Sequence, residues 1–155
     1  MSDTAVVTRS AAETEGLGER LATSLSPADV VYLEGDLGAG KTAFARGLAR
    51  GLGAAGRQVA SPTFAILHEY AGEDGAIVLR HLDLYRLGES ARELEVLGLP
   101  GSMEGAPVCI EWPRAAVAAV LPATVVVRIE SGPDGADERR VAISKAAPER
   151  LRTPR

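Results

Sequence analysis

The chain has 155 residues, 46% of them apolar, with a formal net charge of −4 and a single cysteine. That length and apolar share suit one domain with its own core and argue against disorder. The acidic balance argues against a general nucleic-acid surface, and no apolar run approaches the ~20 residues of a membrane span. One cysteine excludes an internal disulfide, and Met1-Ser2-Asp3-Thr4 lacks the basic start and apolar stretch of a signal peptide, so a reducing cytoplasm is the expected location. Cys109 lies inside an apolar run and reads as a small core residue.

In chain order, Val6-Val7 reads as a short edge strand. Ser10-Ala11-Ala12-Glu13 matches a capping box, and Leu17, Leu21 and Leu25 follow at helical spacing, predicting a helix over 10–25 that Pro27 closes. Val30-Val31-Tyr32-Leu33 is an apolar, β-branched run expected to be a buried strand. Phe44, Leu48 and Leu52, with Ala45 and Ala49 beside them, mark one face of a helix over 42–52, stopped at Gly53. Pro62 biases Ser61 toward extended backbone, which puts Thr63 on a stiffened bend. The run Phe64 to Tyr70, the turn Gly72-Glu73-Asp74-Gly75 and the run Ile77 to Tyr85 read as an antiparallel hairpin. A second capping box at Ser90-Ala91-Arg92-Glu93 opens a short helix with Leu94 and Leu97. Val108-Cys109-Ile110 is a third buried strand, Ala115 to Val120 a short helix before Pro122, and Thr124 to Ile129 and Arg140 to Ser144 the last strands. The expected architecture is therefore a single α/β domain over 1–145, with a mixed sheet of parallel core and antiparallel hairpin strands flanked by helices, and a frayed tail over 146–155.

The stretch Gly35-Asp36-Leu37-Gly38-Ala39-Gly40-Lys41-Thr42 fits the phosphate-binding pattern G-x-x-x-x-G-K-[ST]. It lies between a predicted strand and a predicted helix, which is the context the motif needs. Glycines let successive N–H groups turn into one hollow, and the helix start adds its positive dipole end. The residues expected to hold a nucleotide are Leu37, Gly38, Ala39, Gly40, Lys41, Thr42 and Ala43. Lys41 supplies a point charge for the β and γ phosphates, and the Thr42 hydroxyl one oxygen for Mg²⁺. A further metal-side acid is expected at the end of a second buried strand, where Asp83 and Glu111 both qualify. Glu111 directly ends an apolar strand, where an unpartnered charge is costly. His81 reads as a packed or surface histidine and Trp112 as core or pocket wall.

GDLGAGKT at 35–42, SPTF at 61–64, HLDLYRL at 81–87 and IEWP at 110–113, in that order, resemble the TsaE family, small bacterial ATPases of tRNA threonylcarbamoyladenosine biosynthesis. The resemblance runs from about Thr14 to Ile143. It implies one P-loop domain that binds ATP with Mg²⁺ and hydrolyses it slowly alone. It also implies partners of the TsaB and TsaD type, which transfer the threonylcarbamoyl group to tRNA; the acidic balance argues against direct tRNA binding by this chain, so tRNA is expected to be met through the complex, with no membrane partner. Carried over by position, Lys41 holds phosphate, Thr42 holds Mg²⁺, Asp83 and Glu111 are the acidic pair at metal and attacking water, and Thr63 stands near the γ-phosphate. Arg86 and Arg114 are candidates for an additional cation. The rival readings are a small P-loop kinase of a metabolite and a nucleotide-gated binding module.

Overall fold

The computed structural model describes residues 4–36, 38–56, 58–60, 67–85, 101–132, 134 and 136–146. Eight strands form one sheet: β1 (Thr4–Thr8), β2 (Val30–Glu34), β3 (Gln58–Ala60), β4 (Leu67–Ala71), β5 (Ile77–Asp83), β6 (Val108–Glu111), β7 (Val125–Ser131) and β8 (Arg139–Lys145). Their order is β1-β8-β7-β2-β6-β5-β4-β3. The four central strands β7, β2, β6 and β5 run parallel. The outer pairs β1–β8, β8–β7, β5–β4 and β4–β3 are antiparallel, so the sheet is mixed as the hairpin signal required.

Alternation along the central strands sorts the core into two layers. Val31, Leu33, Leu79 and Cys109 face helices α1 (Ala11–Ala22) and α2 (Lys41–Gly51), packing against Leu17, Phe44 and Leu48. Val30, Tyr32, Leu82, Val108 and Ile110 face the other way, onto Val117 and Leu121 at helix α3 (Ala115–Val120). The Tyr32 hydroxyl, buried under α3, donates to the Leu121 carbonyl at 2.6 Å. Cys109 is fully buried, and burial, with the nearby Glu111 carboxylate, pushes its thiol well above the ordinary range.

Local chemistry explains where the elements differ from expectation. Ser10 Oγ accepts from the Glu13 N–H at 3.1 Å, but Glu13 reaches back past Ser10 to the N–H of Arg9, at 2.7 Å. Helix α1 stops at Ala22 rather than Leu25. The hydroxyls of Thr23 and Ser24 donate to the carbonyls of Arg20 and Leu21, at 2.7 and 2.8 Å, and supply the side-chain partners that end a helix. Strand β5 stops at Asp83 rather than Tyr85, because Asp83 Oδ1 accepts the Tyr85 N–H at 3.1 Å and turns the chain. Gln58–Ala60, for which the sequence alone predicts no strand, pairs with β4. Three residues are too few to show a period-2 signal. The predicted helix after Ser90 and the SPTF stretch lie outside the described residues.

Helices α1 and α2 cross at glycine. A Cβ on Gly47 would stand 2.0 Å from the Glu15 carbonyl oxygen, and one on Gly18 would stand 2.4 Å from that of Phe44. The close approach lets Glu15 reach both Arg46 and Arg50, at 2.9 and 3.0 Å. At the opposite end of the sheet, the Thr124 hydroxyl accepts from the Val30 N–H at 2.9 Å and donates to Asp29 at 2.7 Å, tying the starts of β2 and β7 together.

Candidate functional site

The loop between β2 and α2 sits at the carboxyl end of a central parallel strand, where open α/β sheets place their ligands. Gly40 caps α2 with φ +106°, a left-handed backbone that strains a residue with a Cβ. Gly35 is barred from any side chain by packing, since a Cβ there would come within 2.3 Å of the Ile129 carbonyl oxygen. Lys41 opens the helix and is only 5% exposed. Its ammonium donates to the Gly35 carbonyl and stands 3.5 Å from the centre of the Trp112 ring. Among the described residues it forms no ion pair. Burial draws the Lys41 ammonium below its ordinary range, against the pull of Glu111, Asp83 and Asp36.

Strands β5 and β6 bring the acids to it. Asp83 and Glu111 are direct partners in the parallel register, and His81 stands opposite Cys109 two residues earlier. A two-residue step returns to the same face of a strand, so His81, Asp83 and Glu111 all point to the α2 side. Glu111 is 4% exposed and His81 5%. They meet at 2.8 Å between Oε2 and Nε2. A carboxylate only accepts, so the ring nitrogen donates. Asp83 is half-buried.

Gly38, Gly40, Lys41, Thr42, Asp83, Tyr85, Glu111 and Trp112 line one cavity of about 280 Å³. Thr42, Asp83 and Glu111 also border a second of about 620 Å³, reaching His68, Tyr70 and Arg46. The sequence candidates Gly38, Gly40, Lys41, Thr42, Asp83 and Glu111 are thus gathered around one hollow. Ala39 is buried and borders a neighbouring cavity with Gly35 and Asp36. Ala43 follows in the first turn of α2 and lines none of these spaces. Leu37, Thr63 and Arg86 lie outside the described residues. Among the described residues, no group of three or more His, Cys, Asp and Glu forms a metal cage. One hydroxyl and two carboxylates are hard oxygen donors, too few to close an octahedron. They fit a Mg²⁺ ion that brings phosphate oxygens and waters with it.

Three features go beyond the sequence reading, which gives Trp112 as core or pocket wall and Arg114 as a candidate cation. Trp112 has φ +57°, the only positive value among the described non-glycine residues, which turns its ring back under Lys41 and against Tyr85, 5.1 Å away between ring centres. Arg114 makes only long contacts to backbone, from Nη2 to the carbonyls of Leu84 and Tyr85 at 3.5 and 3.4 Å, and among the described residues its buried Nε has no hydrogen-bond partner. Arg139, on β8, donates to the loop itself, at the carbonyls of Gly38 and Ala39. The sequence marks the first only by its place, since Trp-Pro directly follows the last residue of β6. Nothing local could have flagged the last.

A family model described as "Threonylcarbamoyl adenosine biosynthesis protein TsaE" matches residues 8–141. The tRNA threonylcarbamoyladenosine biosynthesis protein TsaE of Bacillus subtilis is 48% identical over 101 residues, which cover 64% of this chain and 60% of that protein. The Streptomyces coelicolor protein of the same name is 41% identical over 127 residues, covering 80% and 84%. A crystal structure of Bacillus subtilis YdiB superposes with a TM-score of 0.66 at 30% identity, over 94% of this chain and 87% of that one.

Proposed function

Since the chain belongs to the TsaE family of threonylcarbamoyladenosine biosynthesis proteins, we propose that it is the ATPase subunit of the corresponding tRNA-modifying machinery. It binds ATP with Mg²⁺, hydrolyses it slowly alone, and uses the cycle to reset a transferase built from TsaB- and TsaD-type partners. The observation that carries the reading is the meeting of a buried lysine, in no ion pair among the described residues, with two register-matched carboxylates around one hollow at a helix start.

The chemistry this arrangement supports is positioning and charge neutralisation, the two requirements of phosphoryl transfer. Lys41 exchanges the Gly35 carbonyl for a β or γ phosphate oxygen. Main-chain N–H groups of Gly38 and of Gly40 to Thr42 take further phosphate oxygens. Thr42 with Asp83 or Glu111 would hold Mg²⁺, which supplies neutralisation of the phosphate charge when bound. Glu111, fixed through Oε2 by His81, keeps its other oxygen for water or metal. Tyr85 and Trp112 wall the hollow. Thr63, by its place in the family motif, completes the γ-phosphate side.

The test is ATP turnover by the protein alone and with TsaB- and TsaD-type partners, for the native chain and for Lys41→Ala, Asp83→Asn and Glu111→Gln. Loss in each variant, and a faster rate with the partners in the native chain, is expected. Unchanged rates in all three variants sink the proposal, and ATP consumption that depends on a small-molecule acceptor turns it into a kinase.

A further inference from the structure

We propose that Arg139 is the positioning residue of the phosphate loop, clamping it from outside in the shape that receives a polyphosphate; the inference rests on the nucleotide-binding reading above. Arg139 Nε donates to the Ala39 carbonyl at 2.9 Å and Nη2 to the Gly38 carbonyl at 3.2 Å. Nη1 donates to the carbonyls of Ala136 and Glu138 at 2.6 and 2.9 Å. All four acceptors are backbone oxygens, and among the described residues no carboxylate pairs with this guanidinium.

The consequence follows from peptide geometry. In a planar trans peptide the C=O of one residue and the N–H of the next point opposite ways. Holding the Ala39 oxygen therefore turns the Gly40 N–H away from Arg139. Holding the Gly38 oxygen fixes the preceding peptide too, whose N–H, on Ala39, donates to the Asp36 carbonyl at 3.1 Å. Two successive peptides of a glycine-rich turn are thus pinned by one rigid fork, which a single ammonium cannot imitate in geometry. The mount is stiff: Arg139 sits in register with Thr8 on β1 and Ser131 on β7. A loop of flexible glycines must otherwise give up its freedom when the ligand binds, and a clamp removes that cost beforehand. The positive charge behind the loop, without an ion-pair partner among the described residues, acts in the same sense.

The chain's only tryptophan, Trp112, lines the hollow and reports binding by its fluorescence. Titration with ADP and with ATP, each with Mg²⁺, is run on the native protein, Arg139→Gln, Arg139→Lys and Lys41→Ala. Arg139→Gln is expected to bind about tenfold more weakly, with KM for ATP rising alike and kcat within about twofold, the signature of lost ground-state binding. Without nucleotide, hydrogen exchange of the Ala39 loop amide, which donates to the Asp36 carbonyl, is expected to quicken in Arg139→Gln while that of β7 holds. Arg139→Lys, keeping charge but not fork, should fall between. Native-like affinity in a folded Arg139→Gln, or in Arg139→Lys, overturns the assignment, as does an unchanged Ala39 amide. If the native protein binds neither nucleotide, or Lys41→Ala binds as the native chain does, the parent reading fails instead.

Discussion

Replacing His81 by leucine separates two roles that Glu111 could have. In the native chain the carboxylate is almost wholly out of water and its Oε2 rests on His81 Nε2 at 2.8 Å. Leucine removes that donor and leaves the charge buried. A hydrogen bond to a charged group contributes about 1.5–3 kcal/mol, and breaking a buried pair costs more still when nothing else compensates. Here Lys41 lies close enough to act on Glu111 electrostatically, which places the loss at about 2 kcal/mol. For a chain of this size that corresponds to a Tm lower by about 4–8 °C. Glu111→Gln is the counter-perturbation. It removes the buried charge, keeps the shape and leaves an amide oxygen to accept from His81, so its Tm should stay within about 2 °C of native or rise. Its ATP turnover should nevertheless fall at least about 100-fold, the usual worth of a positioned acid–base group. Thermal melts by circular dichroism, paired with phosphate-release rates, decide the matter. If His81→Leu melts with the native protein, or Glu111→Gln falls as far as His81→Leu, the pair is not the support described.

Lys41→Ala should lower ATP turnover by about 10²–10³, the scale for losing one preorganised charge-stabilising donor; turnover at the native rate refutes this. Gly47→Ala pushes a methyl into the Glu15 backbone at 2.0 Å. Overpacking against unyielding backbone should cost about 3 kcal/mol, lowering the urea midpoint by about 1–2 M, and an unmoved midpoint would contradict the helix crossing. Burial raises Asp29, but the Ser26 N–H and the Thr124 hydroxyl outweigh it and leave the carboxyl below its ordinary value of 3.8. A lowered folded value means stability present above 3.8 and lost as pH falls through the folded value. The difference in stability between native and Asp29→Asn should therefore shrink at strongly acid pH, as followed by urea denaturation along a pH series; a difference constant down to that range rules the account out.

What could be read without a structure was local. The strand, glycine turn and helix around Lys41 are contiguous, and each is specified by its own period and by residues within a few positions. The hairpin with its Asp-Gly turn and the apolar strand before Glu111 are of the same kind. Element ends were less legible, because hydroxyls at Thr23 and Ser24 and a carboxylate at Asp83 decide them one hydrogen bond at a time.

Register, and whatever depends on it, belongs to tertiary structure alone. Asp83 and Glu111 could each be nominated from sequence, but only the parallel pairing of β5 with β6 sets them side by side and lends His81 to Glu111. Arg139 is the extreme case: one arginine among many, 100 residues from Ala39, on a strand whose sequence says only that it is a strand. Short-range steric and hydrogen-bonding preferences are written into neighbouring residues and shape the phosphate loop wherever it occurs. Which distant side chain comes to stand behind that loop is decided by how a whole sheet orders its strands, and no stretch of the chain carries that order by itself.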